Sequence, residues 1–295
     1  MIKNQAMRAT DPSVFEETPA EQVEHIMKKH TFVVCAYGES PYLEECINSL
    51  KENEGSSDIC IATHTDNNYI RDIANRFDIP VYINPDTPPE GISAIACDWN
   101  FGLSCVKTKY ATIAHQDDIY DADYSRRFIE AMDRSDDSVI GFSDYYELHQ
   151  ETGVLTDSNL NLRIKKFMLM PLRINGGKKI RRFVLSFGDP ICCPSVCYNI
   201  EYIKKYIKIP LFKDGMESCL DWQAWERLSR LDGEFRYVPY DLMTHRIHEA
   251  SETTRIIGDR RRVVENYMMY RRFWPKYAAV FWNRLYTFAE KSNAK

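Results

Sequence analysis

Residues 110–118 read YATIAHQDD, a run of strand-forming residues that ends directly in two carboxylates. The run Tyr110–Ala114 predicts a buried strand, because it is short, mostly apolar and bounded by polar residues. Three runs of the same kind lie upstream, at Thr31–Ala36, Asp58–Thr63 and Val81–Ile83. The sequence therefore predicts four strands, the last of which carries acidic side chains at its carboxyl end.

Helical patterns fill the intervals between these strands. Ser40 can cap a helix that has Pro41 at its first position. Further helices are predicted over Tyr69–Phe77 and, after a loop at Pro85–Gly91, over Ile92–Val106. Strands that alternate with helices indicate an α/β fold with a doubly wound, mostly parallel sheet. Ligands of such sheets bind at the carboxyl ends of the strands, so the residues after each strand are the functional candidates.

The rest of the chain predicts further elements and two helical extensions. The elements are a helix at Asp123–Asp133, strands at Val139–Ser143 and 190–198, a helix at Asp221–Leu231 and two helices beyond about residue 259. A capping box at Thr18–Glu21 predicts an N-terminal helix that ends near Lys29. The predicted units are an N-terminal tail and helix (1–30), a central domain (31–254, with halves 31–120 and 121–254) and a C-terminal helical extension (255–295).

Composition and charge limit the classes of function. The 295 residues are 44% hydrophobic and 27% charged, which is typical of a globular protein. The formal net charge of −5 argues against a general nucleic-acid coat protein, so we expect no nucleic-acid partner. No run reaches the length of a membrane span and the first residues lack the apolar core of a secretory signal, which predicts a cytoplasmic location.

The nine cysteines are scattered, and their number is odd. This usage fits a reducing compartment better than a disulfide framework. One cluster, Cys192, Cys193 and Cys197, has no second pair of ligands at the spacing of a zinc site. We therefore predict buried thiols there rather than a structural metal.

Asp117 and Asp118, at the end of the fourth strand, suggest a metal site. Adjacent carboxylates repel each other, and a divalent cation removes that cost. Hard oxygen ligands suit Mg²⁺ or Mn²⁺. The same pair also fits a plain helix cap, since aspartate favours helix N-termini.

Five segments, in this order, resemble the GT-A fold glycosyltransferases of family 2 over roughly residues 31–251. They correspond to the opening strand and helix, the start of a donor-side helix, the metal-binding segment, the segment of the catalytic base and a late histidine segment. The segments are FVVCAYGESPYLEECINSL (32–50), ACDWNFGL (96–103), IAHQDDI (113–119), LDWQAWERL (220–228) and HRIHEAS (245–251).

The resemblance implies a Rossmann-like enzyme that moves a sugar from a nucleotide-sugar donor to an acceptor hydroxyl with inversion. It implies Mn²⁺ or Mg²⁺ as cofactor, a UDP-sugar as favoured donor and a glycan or lipid-linked glycan as acceptor, in polysaccharide or glycan biosynthesis. Asp221 is the implied catalytic base. The implied metal ligands are Asp117, Asp118 and His248. The implied donor-site residues are Ala36, Tyr37, Glu39, Thr65, Asp66, Asp98, Asn100, Gln116 and Asp117, and the acceptor-side residues are Asp189, Cys193 and Trp222.

Three positions depart from the family pattern. His115 stands where the metal segment usually has its first acidic residue, which leaves metal dependence open. Asp66, in the segment THTDN at 63–67, lies where the family reads the nucleotide base with a different acidic pattern, so uridine preference is open as well. Leu220 replaces the usual glutamate beside Asp221.

Two other functions stay open. The departures at His115 and Leu220 also fit a catalytically degenerate domain that acts as a scaffold or binding protein. A nucleotidyltransferase would place carboxylates similarly, but it usually has a phosphate loop rich in glycine and basic residues after the first strand. The exit Tyr37–Pro41 has no such loop, so this function ranks lower.

Two segments suggest contacts beyond the core. Residues 151–182 carry eight positive and two negative side chains, so they can receive a diphosphate or an anionic acceptor, or form a solvated helix face. In the C-terminal extension, Tyr277, Phe281, Leu285 and Phe288 recur at helical spacing beside several arginines. That pattern fits contact with the inner face of a membrane, a homodimer contact or packing on the domain.

Overall fold

The computed structural model describes residues 28–53, 57–86, 93–207, 210–213, 215–249 and 260–293. The strands are β1 (His30–Cys35), β2 (Ser57–Thr63), β3 (Val81–Ile83), β4 (Tyr110–His115), β5 (Ile119–Tyr120), β6 (Ser138–His149), β7 (Val154–Thr156), β8 (Val196–Asn199) and β9 (Glu234–Ile247). The helices are α1 (Leu43–Lys51), α2 (Asn68–Phe77), α3 (Ala94–Cys105), α4 (Tyr124–Met132), α5 (Leu160–Ile174), α6 (Lys178–Leu185), α7 (Ile200–Tyr206), α8 (Leu220–Leu228), α9 (Arg260–Tyr270) and α10 (Lys276–Asn293).

The strands form one sheet in the order β3-β2-β1-β4-β8-β6-β9-β5, with β7 paired to β6. Strands β3, β2, β1 and β4 are parallel to one another. Because β8 is antiparallel to both β4 and β6, strand β6 again runs with β4, and β9 runs with β6. Six of the nine strands in the described part of the chain therefore share one direction, which confirms the predicted α/β fold with a mostly parallel sheet.

The first helix begins two residues later than the sequence predicts. Pro41 lies in a turn, where the Ser40 hydroxyl accepts a hydrogen bond of 3.3 Å from the Tyr42 N–H. Helix α1 then begins at Leu43.

In the second half of the chain, three predicted elements have different bounds. The predicted strand at 190–198 is divided, since Cys193–Ser195 form a short 3₁₀ turn before β8. Strand β6 continues past Ser143 to His149, because β9 pairs with it along that whole length. Helix α8 ends at Leu228, where a turn leads into β9.

Four predictions fall wholly or partly outside the described residues. These concern the N-terminal helix before Lys28, most of the loop at Pro85–Gly91, Ser251 of the histidine segment and the side chain of Phe288.

The sheet separates two hydrophobic clusters. Side chains of a strand alternate between its faces, so Phe32 and Val34 pack with α1 and α2, while Val33 packs with α3. Gly102 allows α3 to approach β1 closely, since an added Cβ would lie 2.6 Å from Cγ1 of Val33. This approach holds Asp98, one turn earlier on α3, near the carboxyl edge of the sheet.

The C-terminal helices pack on the same domain. Met269 and Tyr270 of α9 and Ala279 of α10 are completely buried in the cluster that contains Val33. The Trp274 indole, between the two helices, donates a hydrogen bond of 2.7 Å to the Ser186 carbonyl. Among the described residues, no helix is both long and apolar enough to cross a membrane.

Candidate active site

Three potential metal ligands meet where β4 ends. One ligand atom from each of His115, Asp117 and Asp118 lies within 4.8 Å of the other two. Asp118 is completely buried, and its Oδ1 accepts hydrogen bonds from the Arg246 backbone N–H (2.9 Å) and from His245 Nδ1 (3.0 Å). Its Oδ2 is buried without a hydrogen-bond partner among the described residues, and so is Nε2 of His115. Buried lone pairs are costly when unpaired, so this donor set fits a divalent cation.

His115 is the member of this cluster that the sequence pattern does not predict. It replaces an acidic residue of the family, yet its imidazole lies beside both carboxylates, with Nδ1 3.8 Å from Asp118 Oδ2. The ring stacks on the Trp99 indole at 5.4 Å between centroids. Imidazole nitrogen is an accepted ligand of several divalent metals, so the substitution leaves a third potential ligand at this position.

His248 contacts the same cluster from β9's carboxyl end. Its Nε2 lies 3.0 Å from Oδ2 of Asp117, and its ring is 5.0 Å from that of Tyr42. This contact orients the Asp117 carboxylate. His248 is therefore adjacent to the cluster, although the three mutually close ligand atoms come from the other residues.

Arg246 ties the cluster to two other parts of the chain, the start of α1 and the turn after β6. Its Nε donates to the Asp117 carbonyl (2.8 Å), Nη2 to the Glu45 carboxylate (2.6 Å) and Nη1 to the Gln150 side chain. The guanidinium also covers the Tyr42 ring at 4.5 Å. A buried cation is stable only when it is paired and hydrogen-bonded, and these partners satisfy that need.

His245 adds a second hydrogen-bonding group beside Asp118. Burial opposes protonation of this imidazole, but the charge of the Asp118 carboxylate and the hydrogen bond to it raise the pKa of His245 above its ordinary value. One oxygen of the buried carboxylate is thus hydrogen-bonded, while the other accepts no hydrogen bond from the described residues.

The loops after β1 and β4 are joined through one amide. Gln116 is buried, and its side chain accepts from the Tyr37 N–H (3.0 Å) and donates to the Tyr37 carbonyl (3.3 Å). Ala36 is buried beside this pair, whereas the side chains of Tyr37 and Glu39 are exposed. Gly38 turns the loop with φ near +60°, a conformation that favours glycine. The structure thus brings these predicted donor-site residues together at the mouth of the sheet.

Asp98 lies in a polar group that joins α3 to the exits of β2 and β3. One carboxylate oxygen is 2.5 Å from His64 Nδ1, and the other accepts from the Asn84 amide (3.1 Å). His64 and Asn84 are not among the site residues predicted from sequence. Their signal was available, since each directly follows a predicted strand.

Three other predicted donor-site residues form hydrogen bonds within the protein. Thr65 donates its backbone N–H to the Thr63 hydroxyl at 2.9 Å, in the loop after β2. The exposed Asp66 carboxylate accepts hydrogen bonds from two guanidinium nitrogens of Arg71 on α2, Nε and Nη2. The amide of Asn100 donates to the Phe212 carbonyl (2.8 Å) and accepts from its N–H (3.0 Å), which fastens the segment before α8 to α3.

A second centre is a pair of carboxyls, Asp189 and Asp221, that share a hydrogen bond. Burial raises the pKa of Asp189 well above its usual range, and the adjacent Asp221 raises it further. Burial also raises the pKa of Asp221, but the Trp222 N–H, the charge of Arg262 and the hydrogen bond with Asp189 lower it in part. Within the pair, burial and the neighbouring carboxylate raise the pKa of Asp189 more than that of Asp221.

The two centres flank one thiol. The Cys192 side chain interacts electrostatically with both Asp118 and Asp221, and burial raises its pKa. Lys165 of α5 also acts on this thiol, and its ammonium donates to the Tyr145 hydroxyl at 2.8 Å. The metal-type cluster and the carboxyl pair therefore belong to the same region of the molecule.

Two predicted acceptor-side residues lie under this region rather than at its surface. Cys193 is buried, and nearby Asp221 adds to the rise in its pKa after the larger effect of burial. Trp222 is 1% exposed, its indole N–H donates to the Leu185 carbonyl (3.0 Å), and its ring packs edge-on against Tyr270.

Helix α9 holds the start of the helix that carries Asp221. The Glu265 carboxylate accepts hydrogen bonds from the backbone N–H groups of Glu217 (3.0 Å), Ser218 (2.7 Å) and Cys219 (3.1 Å). These are the free donors just before α8, and a carboxylate satisfies them well at a helix N-terminus. The C-terminal extension thereby contributes to the position of the carboxyl pair.

Comparisons with known proteins agree with this architecture. TarS from S. aureus, solved in complex with UDP-GlcNAc, superposes with a TM-score of 0.59 at 10% identity, over 85% of this chain and 69% of that one. The mannosyltransferase PcManGT from Pyrobaculum calidifontis, solved with GDP-Man and Mn²⁺, gives 0.58 at 12% identity, over 90% and 73% of the two chains. At such identities these likenesses concern the fold.

No curated protein matches the sequence significantly. The family model for glycosyl transferase family 2 matches residues 31–204, which is more than half of the chain. The chain therefore belongs to glycosyl transferase family 2.

Proposed function

We propose that this protein transfers a sugar from a nucleotide-sugar donor, with a UDP-sugar favoured, to an acceptor hydroxyl with inversion. The observation that carries the proposal is the presence of two complementary centres beside Cys192. One is the set of potential metal ligands at the end of β4, and the other is the buried carboxyl pair of Asp189 and Asp221. TarS with UDP-GlcNAc and PcManGT with GDP-Man and Mn²⁺ support this choice by analogy of fold.

On the donor side, His115, Asp117 and Asp118 would hold a divalent cation, with His248 as a further ligand beside them. Mn²⁺ or Mg²⁺ there would stabilise the negative charge that develops on the departing nucleoside diphosphate. The chain itself keeps Asp118 oriented through His245 and Arg246. The proposed donor-site residues are Ala36, Tyr37, Glu39, Thr65, Asp66, Asp98, Asn100, Gln116 and Asp117.

On the acceptor side, Asp221 would act as general base. The acceptor oxygen attacks the anomeric carbon, its proton passes to the Asp221 carboxylate, and the bond from that carbon to the diphosphate oxygen breaks. A single in-line displacement inverts the anomeric centre. Asp189 would stay protonated and donate its hydrogen bond to the base, with Cys193 and Trp222 beneath the site. A positioned base typically contributes 10²–10⁴-fold to the rate.

The wider assignment is a hexosyltransferase of polysaccharide or glycan biosynthesis, at the cytoplasmic side, with a glycan or lipid-linked glycan as acceptor. Residues 1–30 and 255–295 would be helical extensions of a catalytic domain over 31–254. The C-terminal helices would also supply a homodimer contact or a peripheral contact with the inner face of the membrane.

Thermal shift tests the donor site first. The purified protein is heated with UDP, GDP, CDP or ADP and their sugars, each with and without Mn²⁺. A ligand that binds only the folded state raises the midpoint. We expect a Mn²⁺-dependent shift with one nucleotide, largest for UDP, that Asp117→Ala abolishes. No shift with any nucleotide would instead favour the non-catalytic scaffold.

The base is tested by Asp221→Asn. We expect turnover to fall by about 10²-fold or more while the donor-dependent thermal shift remains, because the amide fills the same space without accepting the proton. Unchanged turnover in this variant would refute the assignment of Asp221.

A further inference from the structure

Helix α5 presents an apolar stripe to solvent. Phe167 is 72% exposed and Ile174 is 92% exposed, and three further apolar side chains of α5 are also exposed to solvent. The stripe consists of Leu160, Ile164, Phe167, Met170 and Ile174, at intervals of four, three, three and four residues. Such intervals place all five on one helical face.

The opposite face of α5 is already used for packing. Leu162, Leu169 and Leu172 are buried, and the helix contacts β9 beneath it. The stripe is therefore not the helix's contact with its own domain. Just before α5, β7 adds Val154 and Leu155, which are also more than half exposed. Exposed apolar surface of this extent typically marks an interaction site.

The segment that carries the stripe is rich in basic side chains, although Asp157, Asp232 and Asp241 lie close enough to pair with its lysines. Residues 158–188 contain eight basic side chains and no acidic one, in a protein whose net charge is −5. Lys166 and Arg182 pair with carboxylates, and Arg181 is buried among carbonyl groups. Arg163 and Lys179 are exposed and form no ion pair with any described residue.

The basic charge distinguishes between two candidate partners of the stripe, a second copy of the chain and an anionic lipid surface. A second copy of the chain, related by a two-fold axis, would bring the same basic segment against itself. An anionic lipid surface would instead attract the basic groups while it accepts the apolar stripe. Lys and Arg beside an apolar helical face are the arrangement by which helices lie in a membrane interface.

We propose that the stripe of α5, with its flanking Arg163 and Lys179, docks the protein on an anionic bilayer surface. The helix lies in the plane of the interface, with Phe167 and Ile174 inserted below the headgroups. This surface is distinct from α9 and α10, and its binding does not require a donor, an acceptor or sugar transfer.

Vesicle flotation tests the proposal with the full chain. The vesicles are phosphatidylcholine alone or phosphatidylcholine with about one-third phosphatidylglycerol. We expect the native protein to float with the anionic vesicles, with an affinity at least about tenfold higher than for the neutral ones. Added salt should weaken this binding, because it screens the basic groups.

Matched variants locate the surface. Phe167→Ser/Ile174→Ser should weaken binding to anionic vesicles about tenfold or more, since two inserted apolar side chains are lost. Arg163→Gln/Lys179→Gln should reduce the preference for anionic over neutral vesicles. Tyr206→Ser, which removes a side chain that is 48% exposed on α7, should bind like the native protein. All four substituted stripe and flank positions are solvent-facing, so equal thermal midpoints are expected and serve as the folding control.

Three results would overturn the proposal. The first is native protein that floats with neither vesicle. The second is a Phe167→Ser/Ile174→Ser variant that binds as tightly as the Tyr206→Ser control. The third is a native dimer, by light scattering, that the Phe167→Ser/Ile174→Ser variant dissociates, because the stripe would then be an interface between copies.

Discussion

At the scale of single residues, the carboxyl pair assigns different tasks to two aspartates of the same chemistry. Asp189 has the more strongly raised pKa, because it is buried beside Asp221, and it is therefore the proposed donor of the pair. Asp221 receives that hydrogen bond, which favours its carboxylate form. The proposed roles of donor and base therefore follow from the different surroundings of the two carboxyl groups.

This difference predicts that two substitutions of Asp189 affect the pH profile of turnover differently. Asp189→Asn keeps a donor to Asp221, so the pH at which the rate falls on the acid side should stay close to the native value. Asp189→Ala removes the donor, so the pKa of Asp221 should rise and the acid limb should move to higher pH.

The measurement is kcat against pH for the native protein and both variants, with the thermal midpoint as a folding check. An acid limb that moves equally in both variants would show that the hydrogen bond from Asp189 does not set the ionisation of the base.

His115 shows what sequence resemblance misses at this scale. Aligned with the family's acidic residue, it is a departure that weakens the metal prediction. In space, its imidazole joins Asp117 and Asp118 as a third ligand group. A sequence comparison matches residue types, whereas a metal site depends on which ligand atoms lie close together in space.

At the scale of elements, one buried histidine joins three strands. His30 of β1 lies 2.9 Å from the Ser57 hydroxyl of β2 and 2.9 Å from the Thr112 hydroxyl of β4. Burial lowers the pKa of His30 from 6.5 to about 3, so the folded protein holds this imidazole neutral. The unfolded chain protonates it at a higher pH.

We therefore expect the free energy of unfolding to decrease as the pH falls from about 6.5 towards about 3, the window between the two pKa values. In that window the unfolded state binds the extra proton, and one proton changes stability by roughly 1.4 kcal/mol per pH unit. Denaturant titrations at several pH values measure this slope.

His30→Gln is the matched variant, because it keeps a hydrogen-bonding side chain that does not titrate. Its stability should vary less with pH over the same window, even if it is lower throughout. Identical slopes in the two proteins would assign the acid sensitivity to other groups.

Periodicity predicts the elements well where they are built from local patterns. The four parallel strands and their helices follow short apolar runs and turn residues, which lie within a few positions of one another. Strand β6 is harder to predict, since its second half carries the acidic residues Asp144 and Glu147 instead of an apolar run. Those groups are satisfied by the Tyr237 hydroxyl and the Asn159 amide, partners that no local pattern reveals.

The same limit applies to the site. The sequence predicts Asp117, Asp118 and Asp221 because each follows a recognisable pattern. It does not predict that Asp118 is bound by His245, which is 127 residues away. Pairings at that distance depend on the whole topology.

At the scale of the whole molecule, the C-terminal extension reaches the candidate base. Glu265 of α9 binds the backbone just before α8, and Arg262 acts on the charge of Asp221. A deletion of the extension would therefore change the site as well as the surface.

Glu265→Ala should lower both stability and turnover. The loss of a buried acceptor for several N–H groups should cost about 1–3 kcal/mol of unfolding free energy. Turnover should fall more than donor binding, because the displaced helix start carries the base and not the donor-side cluster. Thermal unfolding and a comparison of kcat with the donor thermal shift provide the measurement.

Glu265→Gln is the control, since its amide oxygen can still accept from the same backbone. We expect an intermediate loss. If Glu265→Ala retained native turnover and stability, α9 would have no part in holding the base.

The contacts of Arg246 also bear on the order in which the protein folds. This one side chain reaches Glu45 across 201 residues of sequence and Asp117 across 129. Contacts at such separation close large loops and tend to form late. During synthesis, the first four strands can pair long before residue 246 emerges from the ribosome, and until then Asp118 lacks the partners that balance its charge. We therefore expect the acidic edge of the sheet to stay hydrated in the nascent chain until β9 is made and pairs with β6.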